Sequence, residues 1–411
     1  MPPAGGDAAE SRCRSCGSDD LLDVLDLGDQ PPAGTFPVDG EADEPSAPLH
    51  AMVCRACWLL QLVGPVPSEP TARGLQATRS TTMAAHAEGF VDEVLERVGR
   101  DATVVEIASH GGHLQPRFAS RGIGTLIVDP SDALAADVLR AGGRVLTAAI
   151  DSRVAQVAKL AGVGPPAVLV DNYLLAHLPD PNAEMMMISG LIGEAGSAVL
   201  EFDHALPILT GGQFDALRHG HYSYLSLTAL MPLLERHGLH AVDAATHPVY
   251  GGSMRVWAAA SSGRSTIRPG VAELLEREAA AGIQGPAIYA RFARGADAGR
   301  RELRAFLEDA HAAGRRVAGY GAPSRGNTLL NAAGITADLL PYTADASPGK
   351  QGRRMAGSGI PIVAPDRLLA DKPDEVLVLT WDIVEEIVAQ LPQVHAWGGR
   401  FVVPIPSVSF R

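Results

Sequence analysis

The residues with the most chemistry to offer are few and clustered. Four cysteines fall in two Cys-x-x-Cys pairs, Cys13 with Cys16 and Cys54 with Cys57, and no cysteine follows them. A two-residue spacing lets both thiolates of a pair face one ion from a tight turn, and four sulfurs complete the tetrahedron of a closed structural zinc site. The competing readings are disulfides, which a cytosolic compartment disfavours, and redox thiols, which lack a thioredoxin-like βαβ setting here. The stretch between the pairs is long, but each doubling of loop length adds only about 0.6 kcal/mol of closure entropy. Zinc so bound would hold a small lobe together without touching substrate.

A second cluster is Arg218-His219-Gly220-His221, followed by Tyr222 and Tyr224. An imidazole with an unperturbed pKa of about 6.5 suits proton abstraction near neutrality. If the segment is extended, alternation puts His219 and His221 on one side. No third His, Asp or Glu stands nearby at helical or hairpin spacing, which argues against a metal; the structural alternative is a solvated polar turn before a helix. Downstream, the Gly251-Gly252 pair allows close backbone approach, and Arg255 is a candidate for an anionic group.

The third cluster follows the strand-like VVEIAS. The glycine pair in His110-Gly111-Gly112 lets the chain turn sharply and bring backbone N–H groups to a ligand. Asp129 ends the next apolar run about twenty residues on, where a carboxylate accepts from two ribose hydroxyls. Asp151 follows the third run, and Asp171-Asn172 ends the fourth. Glu106 stands inside the first strand where a dinucleotide site would carry G-x-G-x-x-G, which points to S-adenosylmethionine more than to NAD. The alternative is that these aspartates are strand-end turn residues. Far downstream, GYGAPSRGN offers a glycine-rich turn at Gly321 with Arg325 and Asn327, which suits a diphosphate, or else is simply the first turn of a packed α/β domain.

The elements needed to position these groups can be read from periodicity. At 411 residues the chain is long enough for two or three domains. Apolar residues are 46% and charged residues 20%, as in an ordinary globular protein. The net charge of -13 excludes general attraction to nucleic acid or anionic membrane. No apolar run spans a bilayer and the N-terminus lacks a basic head followed by an apolar core, so a cytoplasmic location is expected. Residues 1–75 read as the cysteine-bearing lobe. In residues 76–265 a helix with Met83, Phe90, Val91, Val94, Leu95 and Val98 on one face precedes short apolar runs alternating with helical stretches. That alternation implies a mostly parallel sheet covered by helices. Residues 266–411 begin with a charged helical stretch, about 270 to 315, and continue as a second, smaller α/β pattern.

With these motifs in hand, the chain resembles the zinc-binding sugar C-methyltransferases that methylate nucleotide-bound ketodeoxysugars in antibiotic pathways. The four cysteines with LDLGDQPPAGTF, the turn EIASHGGHL, DNYLLAHLPD, FDALRHGHYSYLSL, YGGSMRV and the C-terminal AGYGAPSRGNTLLN, KQGRRMAGSGIPI and WGGRFVVPIP carry the likeness over nearly the whole length. The resemblance implies three parts: a zinc lobe, a central Rossmann-like S-adenosylmethionine domain and a smaller C-terminal Rossmann-like domain. It also implies a base at His221, the second histidine of the family's Tyr-His-Glu-His segment. Here that segment reads Arg218, His219, Gly220, His221, so the tyrosine and the glutamate are both absent. The family's Asn-Asp in the cofactor turn stands as His110-Gly111.

On this reading His221 abstracts a proton next to a carbonyl, and His219 or Arg218 stabilises the oxyanion. Asp129 binds the cofactor ribose, while Glu106, His110, Gly111, Gly112, Asp151 and Asn172 hold the remainder. Tyr222, Tyr224, Arg255, Gly321, Arg325 and Asn327 meet a nucleotide-sugar substrate. Two other functions compete. One is an O- or N-methyltransferase acting on another natural product; the other is a methyltransferase-shaped protein that binds or rearranges an intermediate without transferring methyl.

Overall fold

A computed structural model of the chain describes residues 12–38, 40–41, 45–64, 80–108, 113–140, 143–148, 154, 164–263 and 265–411, with side chains 132–134 and 137 excepted. Three sheets are present among them.

The cysteine lobe is built on β1 (Leu21–Gln30), β2 (Ala47–Cys54) and β3 (Leu60–Val63), an antiparallel meander. Its cysteines sit in two knuckles at the same end of the meander, where Leu21 at the start of β1 lies opposite Cys54 at the end of β2. Gly17, at φ +75°, donates its N–H to the carbonyl of Cys13; Trp58, at φ +61°, donates to that of Cys54. A chain too short for a core of its own borrows one. Leu49, Ala51, Val53, Leu60 and Leu62 pack in a single apolar cluster with Phe292 and Leu303 of the long helix Pro286–Ala312 and with Leu377 of the C-terminal sheet. The lobe's fourth strand comes from elsewhere: β9 (Ser223–Tyr224), within the histidine-bearing segment, pairs antiparallel with β3.

The central sheet contains β4 (Val104–Ile107), β5 (Thr125–Asp129), β6 (Arg144–Thr147), β7 (Val168–Asn172), β8 (Ser197–Asp203), β10 (Leu239–His247) and β11 (Ser253–Ala260). Their order is β10-β11-β8-β7-β4-β5-β6, parallel from β8 to β6, with β11 antiparallel to both its neighbours. β4, β7 and β11 are buried at every position, as strands covered on both faces must be. The chain steps outward from β4 to β6 and then returns to β7, so its direction reverses between β4 and β7. Ligands bind at the carboxyl edge of such a reversal.

The C-terminal sheet repeats the device: β12 (Val317–Tyr320), β13 (Thr343–Ala344), β14 (Ile362–Val363), β15 (Glu375–Val378), β16 (Arg400–Val403) and β17 (Ser409–Phe410) lie in the order β14-β13-β12-β15-β16-β17. The charged stretch expected at 270–315 is two helices. Pro269–Ala281 ends at Gly282 in the left-handed region, and Pro286–Ala312 follows. The first packs on β10 of the central sheet, and its buried Glu278 accepts from His204, Leu227 and Thr228. Among the described residues no helix is long and apolar enough to cross a membrane.

Candidate active site and zinc centre

The four sulfurs meet although their pairs are about forty residues apart. Cys13 Sγ lies 3.4 Å from Cys57 Sγ and Cys16 Sγ lies 3.6 Å from Cys54 Sγ. All four fall within 4.8 Å of one another, and none is in a disulfide. Zinc–sulfur bonds of about 2.3 Å in a tetrahedron put sulfurs about 3.8 Å apart, so the donor set fits the ion. Crowding also drives the thiols apart in acidity: hydrogen bonding with Cys57 holds Cys13 down at about 5, and the same contact pushes Cys57 far up. A dication removes that conflict by binding all four as thiolates.

The histidine segment is a turn rather than an extended strand. His221 N–H donates to the carbonyl of Arg218 at 3.2 Å, and Gly220 takes φ +85°, which only glycine adopts at little cost. The turn sends the two histidines to different places. His219 Nε2 donates 3.1 Å to the carbonyl of Pro48 at β2, and burial lowers its pKa, so it ties the segment to the lobe and does not face a reacting oxygen. His221, 2% exposed, instead points inward between Arg218 and Asp203: NH2 of Arg218 is 2.5 Å from Nε2, and Asp203 Oδ2 is 4.0 Å from Nδ1. The His177 ring stands edge-on to it at 4.1 Å, and His177 Nδ1 donates to the carbonyl of Gly220 at 2.8 Å.

Tyr224 and Tyr222 shape this turn. Tyr224 is 1% exposed, and its hydroxyl accepts from Arg218 N–H at 3.0 Å. Tyr222 N–H donates to the carbonyl of Ala176, and its ring lies under the Arg14 guanidinium at 4.8 Å.

Around His221 the strand ends converge. Asp203 closes β8, and burial pushes its carboxyl upward. Tyr173, just past β7, sits at φ +67° with its N–H on the Glu201 carbonyl, and Tyr250 sits at φ +53°. Such positions strain a bulky residue and persist only where the surroundings enforce them. Their rings pack edge-on at 4.9 Å. Ser253 donates to the Val249 carbonyl, so it accepts from the Tyr173 hydroxyl 2.6 Å away. Burial pushes the Tyr250 hydroxyl up to about 12. Sequence reasoning overlooked Asp203, Tyr173, His177, Tyr250 and Ser253. The available signal was position: each lies at or just past a strand end on the edge carrying Asp129 and Asn172, or in the turn before β11.

On the cofactor side, β4 is followed by Ala108 at φ +44°, beside the reversal point. Asp129 ends β5, buried, with Oδ1 accepting from Ser131 N–H at 2.8 Å. Asn172 ends β7 and its Oδ1 accepts from His113 Nε2 at 3.2 Å. Glu106 is buried inside β4. A carboxylate and an amide flanking the central strand at this edge suit a ribose and an amino-acid moiety, so the residues fit the cofactor. His110, Gly111, Gly112 and Asp151 lie outside the described residues. Asp171 does not line the crevice: it is fully buried and accepts from Leu174 and Leu175 N–H, fixing the turn that carries His177.

The residues expected at a diphosphate are engaged elsewhere. Arg255, 2% exposed, is held by Glu201 at 2.6 Å and by Glu93, because a guanidinium inside the sheet must have carboxylates. Arg325 grips Asp215 through Nε and NH2, both at 3.1 Å, donates to the Tyr250 carbonyl at 2.8 Å, and lies over Trp381. Asn327, fully buried, donates to the carbonyls of Ala33 and Thr35. Gly321, at φ +89°, packs so tightly that a Cβ would come 2.7 Å from Thr380 Oγ1, and the next N–H, that of Ala322, is taken by Asp345. Arg325 and Asn327 dock the C-terminal domain onto the other two parts.

Two family models match the chain. Residues 13–71 match a family described as a putative zinc binding domain, and residues 248–406 match the C-methyltransferase C-terminal domain. The chain is 34% identical over 403 residues to C-methyltransferase NovU of Streptomyces niveus, covering 96% of this chain and 95% of that protein. Among solved structures it is similar to the Burkholderia thailandensis 1,6-didemethyltoxoflavin-N1-methyltransferase, with 18% identity, coverage of 51% of this chain and 96% of the other, and a TM-score of 0.35. The glycopeptide N-methyltransferase MtfA matches at 15% identity, 48% and 100% coverage, and a TM-score of 0.35.

Proposed function

Because the chain belongs to the C-methyltransferase family, and so is an S-adenosylmethionine-dependent methyltransferase with a zinc-binding lobe, we propose that it methylates a carbon next to the ketone of a nucleotide-linked deoxysugar, with His221 as the base. The observation that carries this reading is the placement of His221: a buried imidazole at the carboxyl edge of the central sheet, with a guanidinium on one ring nitrogen and a carboxyl near the other.

Forming a carbon–carbon bond requires a carbon nucleophile, and a carbon beside a ketone becomes one when a base removes its proton. His221 takes that proton on Nε2, and the electron pair of the broken C–H bond moves onto the ketone oxygen. Arg218 offers hydrogen bonds to the charge that develops there, and Asp203 faces the Nδ1 edge of the imidazolium. Asp129, Asn172 and Glu106 hold the cofactor, which when bound supplies the methyl as an electrophile. Tyr173 and Tyr250 close the mouth and keep the enolate from water. A nucleotide handle is supported by the C-terminal domain, whose own strand reversal between β12 and β15 turns its carboxyl edge toward the Asp215 segment.

The test is product mass. With S-adenosylmethionine and a thymidine-diphosphate ketodeoxysugar the enzyme gains one methyl on carbon, and His221→Ala loses at least about a hundredfold in kcat, the lower range for a general base. Methyl gain that survives His221→Ala rejects the base, and methyl found on oxygen or nitrogen rejects the reaction.

A further inference from the structure

We propose that Arg218 guards the lone pair of His221 in the ligand-free enzyme, and that an anionic oxygen of the bound substrate draws the guanidinium off Nε2 and so releases the base; this rests on the reading of His221 as that base. A guanidinium is always a donor, so at 2.5 Å it fixes Nε2 as an acceptor and leaves the ring proton on Nδ1, toward Asp203 Oδ2 at 4.0 Å. The lone pair required for proton abstraction is therefore the one that Arg218 occupies.

Three features of the surroundings suit a group that moves. The Arg218 backbone is pinned by the Tyr224 hydroxyl and by His221 N–H, so the side chain can swing without disturbing the turn. Its other side-chain bond is a long one, 3.5 Å to the Ala216 carbonyl. Among the described residues no carboxylate lies within ion-pair distance of Arg218, whereas Arg255 and Arg325 are held by Glu201 and Asp215. A half-buried cation whose main partner is a neutral ring gains most when an oxyanion arrives. Among the described residues, the other charged or titratable groups facing His221 are Asp203 from β8, whose carboxyl also feels the Arg218 charge, His177 from the turn after β7 and Tyr224 from β9. The released guanidinium is then beside the oxygen that becomes negative as the proton leaves, so one movement frees the base and places the counter-charge.

Two substrate oxygens share this chemistry, the diphosphate and the enolate, and two probes separate them: inorganic pyrophosphate and oxalate, a planar enolate mimic. The measurement is nitrogen NMR of the full-length chain labelled at histidine, titrated with pH, with the His221 signal identified by its loss in His221→Gln. In the wild type the His221 midpoint rises when the matching anion is added. In Arg218→Gln it starts higher by about 1 to 3 pH units, the effect of removing a charge at this range, and neither anion moves it. Should Arg218→Gln fold poorly, Arg218→Met keeps the apolar stem and gives the same expectation. A response to pyrophosphate assigns the diphosphate; one to oxalate assigns the enolate. The proposal is overturned if the wild-type midpoint ignores both anions, or if neutral variants titrate as the wild type does. No turnover is involved, so an enzyme that methylates without His221 rejects the base reading whatever the titration gives.

Discussion

Replacing Tyr224 by Phe isolates the link between the zinc lobe and the histidine turn. The ring is buried within the shared apolar cluster and stays; only the hydroxyl goes, and with it the hydrogen bond from Arg218 N–H at 3.0 Å and a weaker one to the Arg218 carbonyl at 3.5 Å. A buried hydrogen bond contributes about 0.5–1.5 kcal/mol, and leaving its donor unsatisfied costs about 1–3 kcal/mol. The expected loss is therefore about 1–3 kcal/mol, read as a fall of a few degrees in melting temperature for a protein of this size. The catalytic effect should exceed what that loss implies at working temperature. His221 is positioned by its N–H bond to Arg218, and misplacement of a base by about 1 Å costs on the order of a hundredfold in rate. The assay is steady-state methyl transfer at a temperature where the variant stays folded, with cofactor binding measured in parallel. A kcat within twofold of wild type, accompanied by the expected thermal shift, would show that the hydroxyl supports the fold but not the turn, and the positioning argument fails.

Other outcomes follow from the same contacts. Arg255→Gln strands Glu201, whose carboxyl is kept ionised despite its burial by His86 and Arg255; breaking such a buried pair costs about 3–5 kcal/mol, so thermal melting falls sharply while affinity for a nucleoside diphosphate in the folded fraction is unchanged. A selective loss of nucleotide affinity in that variant would restore Arg255 as a phosphate ligand. Burial pushes the Glu386 carboxyl up, but hydrogen bonds from Thr82, Ser80 and Thr81 at the start of helix Thr81–Val98 outweigh it and hold the group at about 2. The folded value lies below the ordinary Glu value of about 4.3, so this stabilisation is complete above about pH 4.5 and is lost as pH falls toward 2. Melting temperature followed through that window should lose part of its pH dependence in Glu386→Gln, by a small amount because the group is partly exposed to solvent. Removing zinc with a chelator, or replacing Cys54 by Ser, should abolish methyl transfer while leaving cofactor binding in place, checked by calorimetry and by metal content of one zinc per chain; full activity without metal would refute the role given to the lobe.

Fold was more legible than site, for a physical reason. Strand and helix periodicity and the spacing of cysteines are local properties, and they pointed to the α/β alternation, the strand ends at Asp129 and Asn172, and the cysteines that cluster. Whether a cation is free or consumed is a non-local property. Arg255 and Arg325 looked available because Glu201, Glu93 and Asp215 are distant in sequence, and only folding brings them within bonding range. The same holds for His219, whose partner is the Pro48 carbonyl 171 positions away. The orientation of the histidine pair failed for a local reason: glycine between two histidines permits a turn as readily as an extended strand, and period-two alternation holds only for the strand.

The mixed origin of the lobe's sheet offers a route by which a metal in the lobe would govern the position of the histidine turn. The lobe's described strands run only from Leu21 to Val63, too short a stretch to bury a core alone, and its apolar face is completed by the helix Pro286–Ala312 and the C-terminal sheet. Asn327 holds its loop through Ala33 and Thr35, and Arg354 N–H donates to the Pro37 carbonyl. The C-terminal domain therefore sets where the lobe sits, and zinc would tie the knuckle before β1 to the knuckle that joins β2 to β3. β3 in turn receives β9 through Leu60 opposite Tyr224, and Leu62 N–H donates to the Tyr222 carbonyl. On the proposed reading, position passes from metal to strand to turn through the backbone pairing of β3 with β9, and the buried Tyr224 hydroxyl and the His219 bond to Pro48 complete the link to the imidazole. If His221 is the base as proposed, one placed in this way needs no neighbouring glutamate to aim it, which fits a glycine at position 220: the residue there takes a φ of +85°, and the aiming falls to the lobe.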